Sequence, residues 1–147
     1  MKKKLYIAYG SNLNLQQMAY RCPKAKPLGT AVIKDWMLTF RGWKGHGVLN
    51  IEPQAGKEVP VGIWEITPEC EQALDRYEGY PRLYVKKDFM VKINGRGHAR
   101  KAMAYIMVDG YEMHKPSAPY WQTCMTGYSD FNLEATPLYE AAKLAIK

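Results

Sequence analysis

The sequence predicts an α+β fold, a small and mostly antiparallel β-sheet that can close on itself, flanked by helices. Three observations carry this. Short apolar runs rich in aromatic and β-branched residues recur between turns bearing Gly and Pro. Helix-start signals appear at well-separated places, Thr67-Pro68 and Ser117 among them. Strands and helices do not alternate regularly, as a parallel βαβ architecture would require. At 147 residues the chain is expected to form one domain, 1–147.

Taken in order, Leu5–Tyr9 reads as a strand and Gly10-Ser11-Asn12 as a turn. Ser11 or Asn12 can cap a helix over Leu13–Tyr20, which Cys22-Pro23 ends. Strand-like pieces follow at Thr30–Ile33, Met37–Arg41, Val48–Ile51 and Val59–Ile66. Thr67-Pro68-Glu69 supplies a capping hydroxyl, a proline at the first helical position and an acid in the first turn. Cys70, Ala73, Leu74 and Tyr77 then repeat at i, i+3, i+4, i+7, the apolar stripe of a helix that Gly79 stops. Tyr84–Ile93 and Ala99–Val108 form a hairpin across Asn94-Gly95, the usual type I′ pair. Their inner residues do not alternate cleanly, which fits cover on both faces. Ser117 opens a helix to Thr126, and Thr136-Pro137 a last helix to the C-terminus.

Composition excludes several classes. Apolar residues make up 47% and charged residues 24%, a globular balance rather than a disordered one. The longest apolar run, Ala102–Val108, is far short of the roughly 18 residues of a membrane span. Met1-Lys-Lys-Lys is followed only by Leu5–Tyr9 before Gly10, too short an apolar core for a signal peptide. Cys22, Cys70 and Cys124 are odd in number and widely spaced, so reduced thiols and a cytoplasmic location are expected. The formal charge of +7 is uneven. Residues 1–50 carry nine basic and one acidic side chains, whereas residues 51–85 carry three basic and seven acidic. A positive field attracts small anions as readily as nucleic acid.

Several familiar sites fail on spacing. His46, His98 and His114 have no partner at metal-ligand spacing, so no metal is expected. The glycines of Gly42–Gly47 and Gly95-x-Gly97 lack the Lys-Ser/Thr of a phosphate loop. No G-x-S-x-G nucleophile elbow is present. Trp36, Phe40 and Trp43 lie among basic residues but in no RNP or OB pattern, so they read as strand residues and no nucleic-acid partner is expected.

Two sites survive. In Tyr9-Gly10-Ser11-Asn12-Leu13 a strand runs through a sharp turn into a helix. Amides at a helix start lack internal partners and, with the helix dipole, favour an anion; Gly10 permits close approach to the backbone. The second site is Tyr77-Glu78-Gly79-Tyr80-Pro81. Glu78 precedes a helix-stopping glycine, so the negative end of the dipole and the nearby Tyr77, Tyr80, Pro81 and Tyr84 disfavour its ionised form. Both effects bring a carboxyl toward the range useful for proton transfer near neutrality. Taken separately, each is also read as plain helix capping or as an exposed helix-terminal acid.

In this order and separation the two motifs resemble the γ-glutamylcyclotransferase-like (AIG2-like) family. Gly62-Ile-Trp-Glu-Ile66, Leu74-Asp75-x-x-Glu78-Gly79, Tyr84, Pro116-Ser117-x-x-Tyr120, Gly127, Pro137 and Tyr139 extend the resemblance from Leu5 to about Leu144. It implies a small mixed β-barrel flanked by helices, no cofactor, a small-molecule γ-glutamyl substrate bound by the loop, and a glutamate as acid/base. On that basis Glu78 is the catalytic candidate. Tyr9, Gly10, Ser11, Asn12 and Leu13, with Tyr84 and Tyr139, are the substrate-binding candidates. The loop looks most like that of the branch acting on γ-glutamyl amino acids. The implied reaction is attack of the substrate's α-amine on its own γ-carbonyl, giving 5-oxoproline and a released amine. The loop amides can hold the α-carboxylate or the developing oxyanion. Two alternatives stand beside this: removal of a γ-glutamyl protecting group in a biosynthetic pathway, and a non-catalytic basic binding module. A monomer or homodimer with no membrane partner is expected.

Overall fold

The structure is a computed structural model that describes residues 2–146. Met1 of the basic lead-in and the final Lys147 lie outside the described residues. Six strands form one sheet in the order β4-β5-β1-β3-β2-β6. They are β1 (Lys4–Ala8), β2 (Lys26–Trp43), β3 (His46–Ile66), β4 (Tyr84–Val91), β5 (Arg100–Met107) and β6 (Glu112–Met113). Four helices accompany them: α1 (Leu15–Arg21), α2 (Pro68–Glu78), α3 (Ala118–Asp130) and α4 (Thr136–Ile146). Among the described residues only the β1–β5 pair, at Tyr6 and Met103, is parallel. The sheet is therefore mixed and mostly antiparallel, as expected from the sequence.

The four short strands expected between residues 30 and 66 merge into two long ones. The residues expected to break them, between Ile33 and Met37 and between Ile51 and Val59, do not end the strands. The chain uses those residues to bend the strands rather than to end them. Asp35 takes a left-handed φ of 66°, and its carboxylate accepts a hydrogen bond from the Gly56 amide at 3.0 Å. Pairing jumps from Trp36↔Pro53 to Lys34↔Glu58, so Gln54–Lys57 bulge out of the ladder. A bulge sharpens twist and bend without abandoning the sheet.

That bend curls the sheet into a half-barrel. Among the described residues no ladder joins β2 to β4; side chains close the gap instead. Trp36 and Phe89 meet edge to face at 5.0 Å, and Asn94 Oδ1 accepts from the Thr30 amide at 3.0 Å. Asn94 and Gly95 both have positive φ, 56° and 68°, and the Arg96 amide donates to the Ile93 carbonyl at 3.1 Å, as a type I′ turn requires. The ladder stops earlier than the sequence suggests, at Val91 and Arg100, because the turn leans onto β2. Of the two hairpin strands only β5 is covered on both faces; β4 is an edge strand, buried at Tyr84 and Val91 and partly or fully exposed between them.

Three further expectations change. The helix expected over 13–20 is split. Ser11–Leu13 form one 3₁₀ turn, and α1 begins at Leu15 with Asn14, whose Oδ1 accepts from the Gln17 amide at 3.0 Å, as its cap. Second, α3 runs on through Gly127 to Asp130, because this glycine serves close packing: a Cβ there would lie 2.7 Å from the Asn14 nitrogen. Third, Cys22 and Cys70 are not separate reduced thiols. The end of α1 packs on the start of α2, their Cα atoms are 5.0 Å apart, and the two are joined in a disulfide, while Cys124 is free and buried. At a sequence separation of 48, no local spacing signals the pair. It removes one support for the expected reducing, cytoplasmic setting. Among the described residues no helix is long and apolar enough to cross a membrane.

Candidate active site

The turn after β1 and the end of α2 meet across a cavity of about 230 Å³. Ligand pockets for drug-sized molecules run to roughly 300–1,000 Å³, so this one fits a single small group. Gly10, Ser11 and Asn12 form one rim, and Glu78 with Tyr77 the opposite one. Tyr6 of β1, Tyr9 just after it, Tyr105 from β5 and Tyr84 from β4 supply aromatic walls. Trp43, Val48, Leu49, Leu83 and Tyr120 complete the lining.

Local structure explains how each group arrives there. Thr67 Oγ1 accepts from the Cys70 amide at 3.1 Å, Pro68 opens α2, and buried Cys70 and Leu74 set its inner face. Gly79, at φ 67°, ends the helix with its amide returned to Arg76 and Asp75. Glu78 is thus left at the helix's negative end, pointed at the cavity. Among the described residues no hydrogen bond or ion pair engages its carboxyl. Protein atoms crowd the carboxyl although the residue as a whole is only partly covered, and this burial pushes it up to about 7 against the lowering pull of the Arg21 guanidinium. A carboxyl near 7 exchanges its proton at neutral pH.

The loop is seated by Leu13. This residue is fully buried, and does not line the cavity. A Cβ at Gly62 would lie 2.6 Å from Leu13 Cδ2, and one at Gly127 would lie 2.8 Å from the Leu13 Cβ, so two glycines make its socket. Above it, the turn's own hydrogen bonds run from the Leu13 and Asn14 amides to the Gly10 and Ser11 carbonyls, both at 3.0 Å. They leave the Ser11 and Asn12 amides unused by the turn. Because this is one 3₁₀ turn and not the start of an α-helix, the dipole contribution expected from a long helix is small. Gly10 is closely fitted: a Cβ there would lie 3.3 Å from both Leu49 Cβ and the Tyr120 hydroxyl.

The tyrosine hydroxyls are mostly committed to the protein. Tyr9 donates to the Tyr105 carbonyl at 2.5 Å, Tyr84 to the Leu49 carbonyl at 2.8 Å, and Tyr105 to Asp75 Oδ1 at 2.5 Å. Tyr6 accepts from Asn12 Nδ2 at 2.9 Å, and Tyr120 from the Leu49 amide at 3.0 Å. Burial first, and neighbouring negative groups second, raise Tyr9 and Tyr84 above the ordinary phenol value. These phenols are neutral at physiological pH and shape the pocket rather than charge it. Cys124 is no nucleophile either, since burial pushes its thiol up to about 12.

A model of the family described as γ-glutamyl cyclotransferase, AIG2-like, matches residues 6–123. The chain belongs to this enzyme family. The γ-glutamylcyclotransferases of Mus musculus and Homo sapiens are each 29% identical over 138 residues, covering 88% of this chain and 72% of theirs. A solved γ-glutamyl cyclotransferase structure superposes with a TM-score of 0.80 at 26% identity, covering 97% of this chain and 86% of that one. YkqA of Bacillus subtilis, at 17% identity and a TM-score of 0.81, shares the fold. Membership of the γ-glutamyl cyclotransferase family decides against the basic binding module.

Within this family member, the structure brings Tyr9, Gly10, Ser11, Asn12, Glu78 and Tyr84 to one cavity. It does not bring Leu13 or Tyr139 there. Leu13 lies beneath the loop, and Tyr139 is half exposed on α4, meeting Trp121 edge to face at 5.4 Å. Tyr139 follows the stripe of Leu138 and Ala141 that buries α4, one step round the helix, and so faces outward. Sequence reasoning missed Tyr6, Tyr105 and Arg21. Tyr6 lies in the strand before the loop and Tyr105 nearly a hundred positions later, on the strand that pairs beside it. Arg21 left a weak signal, standing four residues after Gln17 on a helix face.

Proposed function

We propose that this pocket cyclises a γ-glutamyl group to 5-oxoproline and releases the attached amine, with Glu78 as general base and then general acid. The observation that carries the reading is Glu78 itself: a carboxyl unpaired among the described residues, pushed up to about 7 and facing the loop across a cavity for one small group.

The substrate holds both reacting groups, so the protein has only to fold it into attack geometry. Its α-ammonium gives a proton to Glu78, and the freed amine attacks the γ-carbonyl. A carbon–nitrogen bond forms, and the carbonyl oxygen takes the electron pair. As that oxygen re-forms its double bond, the original amide carbon–nitrogen bond breaks. Glu78 hands that proton to the departing nitrogen, and the second proton, shed by the ring nitrogen as it becomes the lactam N–H, passes to the released amine, which leaves as an ammonium. No net proton and no cofactor enters this balance. The Ser11 and Asn12 amides face the substrate's negative charge. The tyrosine walls exclude water, which guards against simple hydrolysis.

The mouse and human relatives are named γ-glutamylcyclotransferases, which supports this chemistry without naming the released amine. The leaving group is read from the loop as an amino acid or other small amine. We infer a monomer or homodimer that needs no nucleic acid.

The test is incubation with a panel of γ-glutamyl amino acids and γ-glutamyl amines, with 5-oxoproline and free amine both quantified. Equimolar appearance of the two is expected. Release of free glutamate instead would replace cyclisation with hydrolysis, and product from none of the panel overturns the reading. Specific activity should be constant on dilution if one copy suffices.

A further inference from the structure

We infer that Arg21, which does not line the cavity, is a positioning residue that clamps the substrate loop to the end of α2. The inference rests on the reading of Glu78 as the proton carrier and extends it to what holds that carrier opposite the loop.

Arg21 is the last residue of α1 and is half-buried. Its guanidinium is used in three directions. Nη1 donates to Asn12 Oδ1, Nη2 donates to Gln17 Oε1 at 2.9 Å, and the flat face lies 3.5 Å from the centre of the Tyr77 ring. Asn12 passes the restraint on, since its Nδ2 donates to the Tyr6 hydroxyl at 2.9 Å and its carbonyl accepts from Trp64 Nε1 at 3.0 Å. Tyr77 does the same from the other side, its hydroxyl 2.8 Å from Ser11 Oγ. The next residue after Tyr77 is Glu78. One planar cation thus fixes both rims of the pocket at once. The next residue after Arg21, Cys22, is joined to Cys70 on α2, so the backbone of the clamp is tied to the helix it grips. A lysine has neither the second donor nor the flat face, so it cannot replace this arrangement.

Arg21 is also the charge that Glu78 senses. Facing Glu78 are Tyr6 of β1, Tyr9 just after it, Tyr84 from β4, Tyr105 from β5 and Arg21 from α1, with Tyr77 beside it on α2. Tyr120 of α3 lines the same cavity. The buried phenols Tyr6, Tyr9, Tyr84, Tyr105 and Tyr120 are all raised and neutral. Farther along α2, Glu71 and Asp75 are tied to Lys86. A positive charge near a carboxyl favours its ionised form. Removing it therefore moves the acid limb of the rate profile to higher pH.

The experiment compares Arg21→Met, Arg21→Lys and Glu78→Gln with the wild type, reading kcat and KM from pH 5 to 9 by 5-oxoproline release. Arg21→Met is expected to raise KM by about tenfold, the scale of a lost charged hydrogen bond. Its acid limb should move up by about half a pH unit or more. Arg21→Lys keeps the charge and loses the clamp, so KM rises while the acid limb stays near that of the wild type. A merely structural Arg21 would lower the active fraction in both variants and leave KM and the limb unchanged, and that outcome overturns the inference. Glu78→Gln keeps the two readings apart. If it keeps wild-type turnover the proton-carrier reading fails, whereas if it is inactive and both Arg21 variants are normal only the clamp fails.

Discussion

Glu52 and Glu78 are the same side chain in two parts of one molecule, and their surroundings give them opposite tasks. Glu52 lies on β3 and meets Arg41 of β2 in a fork, with contacts of 2.8 and 2.9 Å, while Thr39 Oγ1 donates to it at 2.7 Å. The hydrogen bonds from Arg41 hold its carboxyl below the usual carboxylate value. Arg41 is itself anchored to the Tyr111 carbonyl at 2.9 Å, which ties the segment before β6 to the sheet. Glu78 has a guanidinium in its neighbourhood too, but Arg21 spends its donors on Asn12 and Gln17 and its face on Tyr77. Burial then dominates and the carboxyl rises to about 7. A carboxylate that is fully paired makes structure; one that is crowded but unpaired makes a proton carrier.

The largest test of this contrast is Glu78→Gln, which keeps the shape and removes the proton carrier. Turnover should fall by about 10²–10⁴-fold, the usual worth of general acid–base help, measured as 5-oxoproline release. Stability should move the other way with pH. The ordinary value of Glu78 is 4.5 and its folded value about 7, so its favourable contribution is complete below 4.5 and is lost as pH rises through 7. Thermal melts from pH 4 to 8 should show Glu78→Gln gaining on the wild type across that window.

Next in size is Leu13→Ala, which empties the socket between Gly62 and Gly127. It should cost about 2–5 kcal/mol in urea unfolding. KM should rise as well, because the loop loses its seat. Glu52→Gln comes third. Part of the fork is exposed and screened, so a loss of about 1 kcal/mol is expected at pH 7. Its folded value is lowered from 4.5, so this stability is present above 4.5 and fades as pH falls through the folded value. The gap between wild type and variant should therefore close in acid, opposite to the behaviour of Glu78→Gln. Smallest is Tyr139→Phe, on the outward side of α4, for which kcat/KM should stay within about twofold of the wild type. A large loss there would bring Tyr139 back into the site.

Local chemistry was legible in the chain. Thr67-Pro68 starts α2, Gly79 stops it with a left-handed φ, and Asn94-Gly95 turns with both φ positive, each as expected. The same local rules end a strand at Ile33 and a helix at Thr126, whereas the chain continues both, through Asp35 and Gly127. A residue suited to a turn also suits a bulge, and a glycine suited to a helix stop also suits a close helix contact. Which use the chain makes of them depends on what packs opposite: Gly56 in the first case, the Leu13–Asn14 backbone in the second.

The sequence by itself determined the element types, the loop motif and the placing of Glu78 at a helix end, because these follow from φ preferences, capping and periodicity within a few residues. Only the tertiary structure decided that Cys22 reaches Cys70, that Arg21 stacks on Tyr77, and that tyrosines from three strands surround Glu78. Such contacts are set by how the bulged β2–β3 hairpin curls and which helix ends it brings together. They depend on distance through space, and spacing along the chain does not encode it.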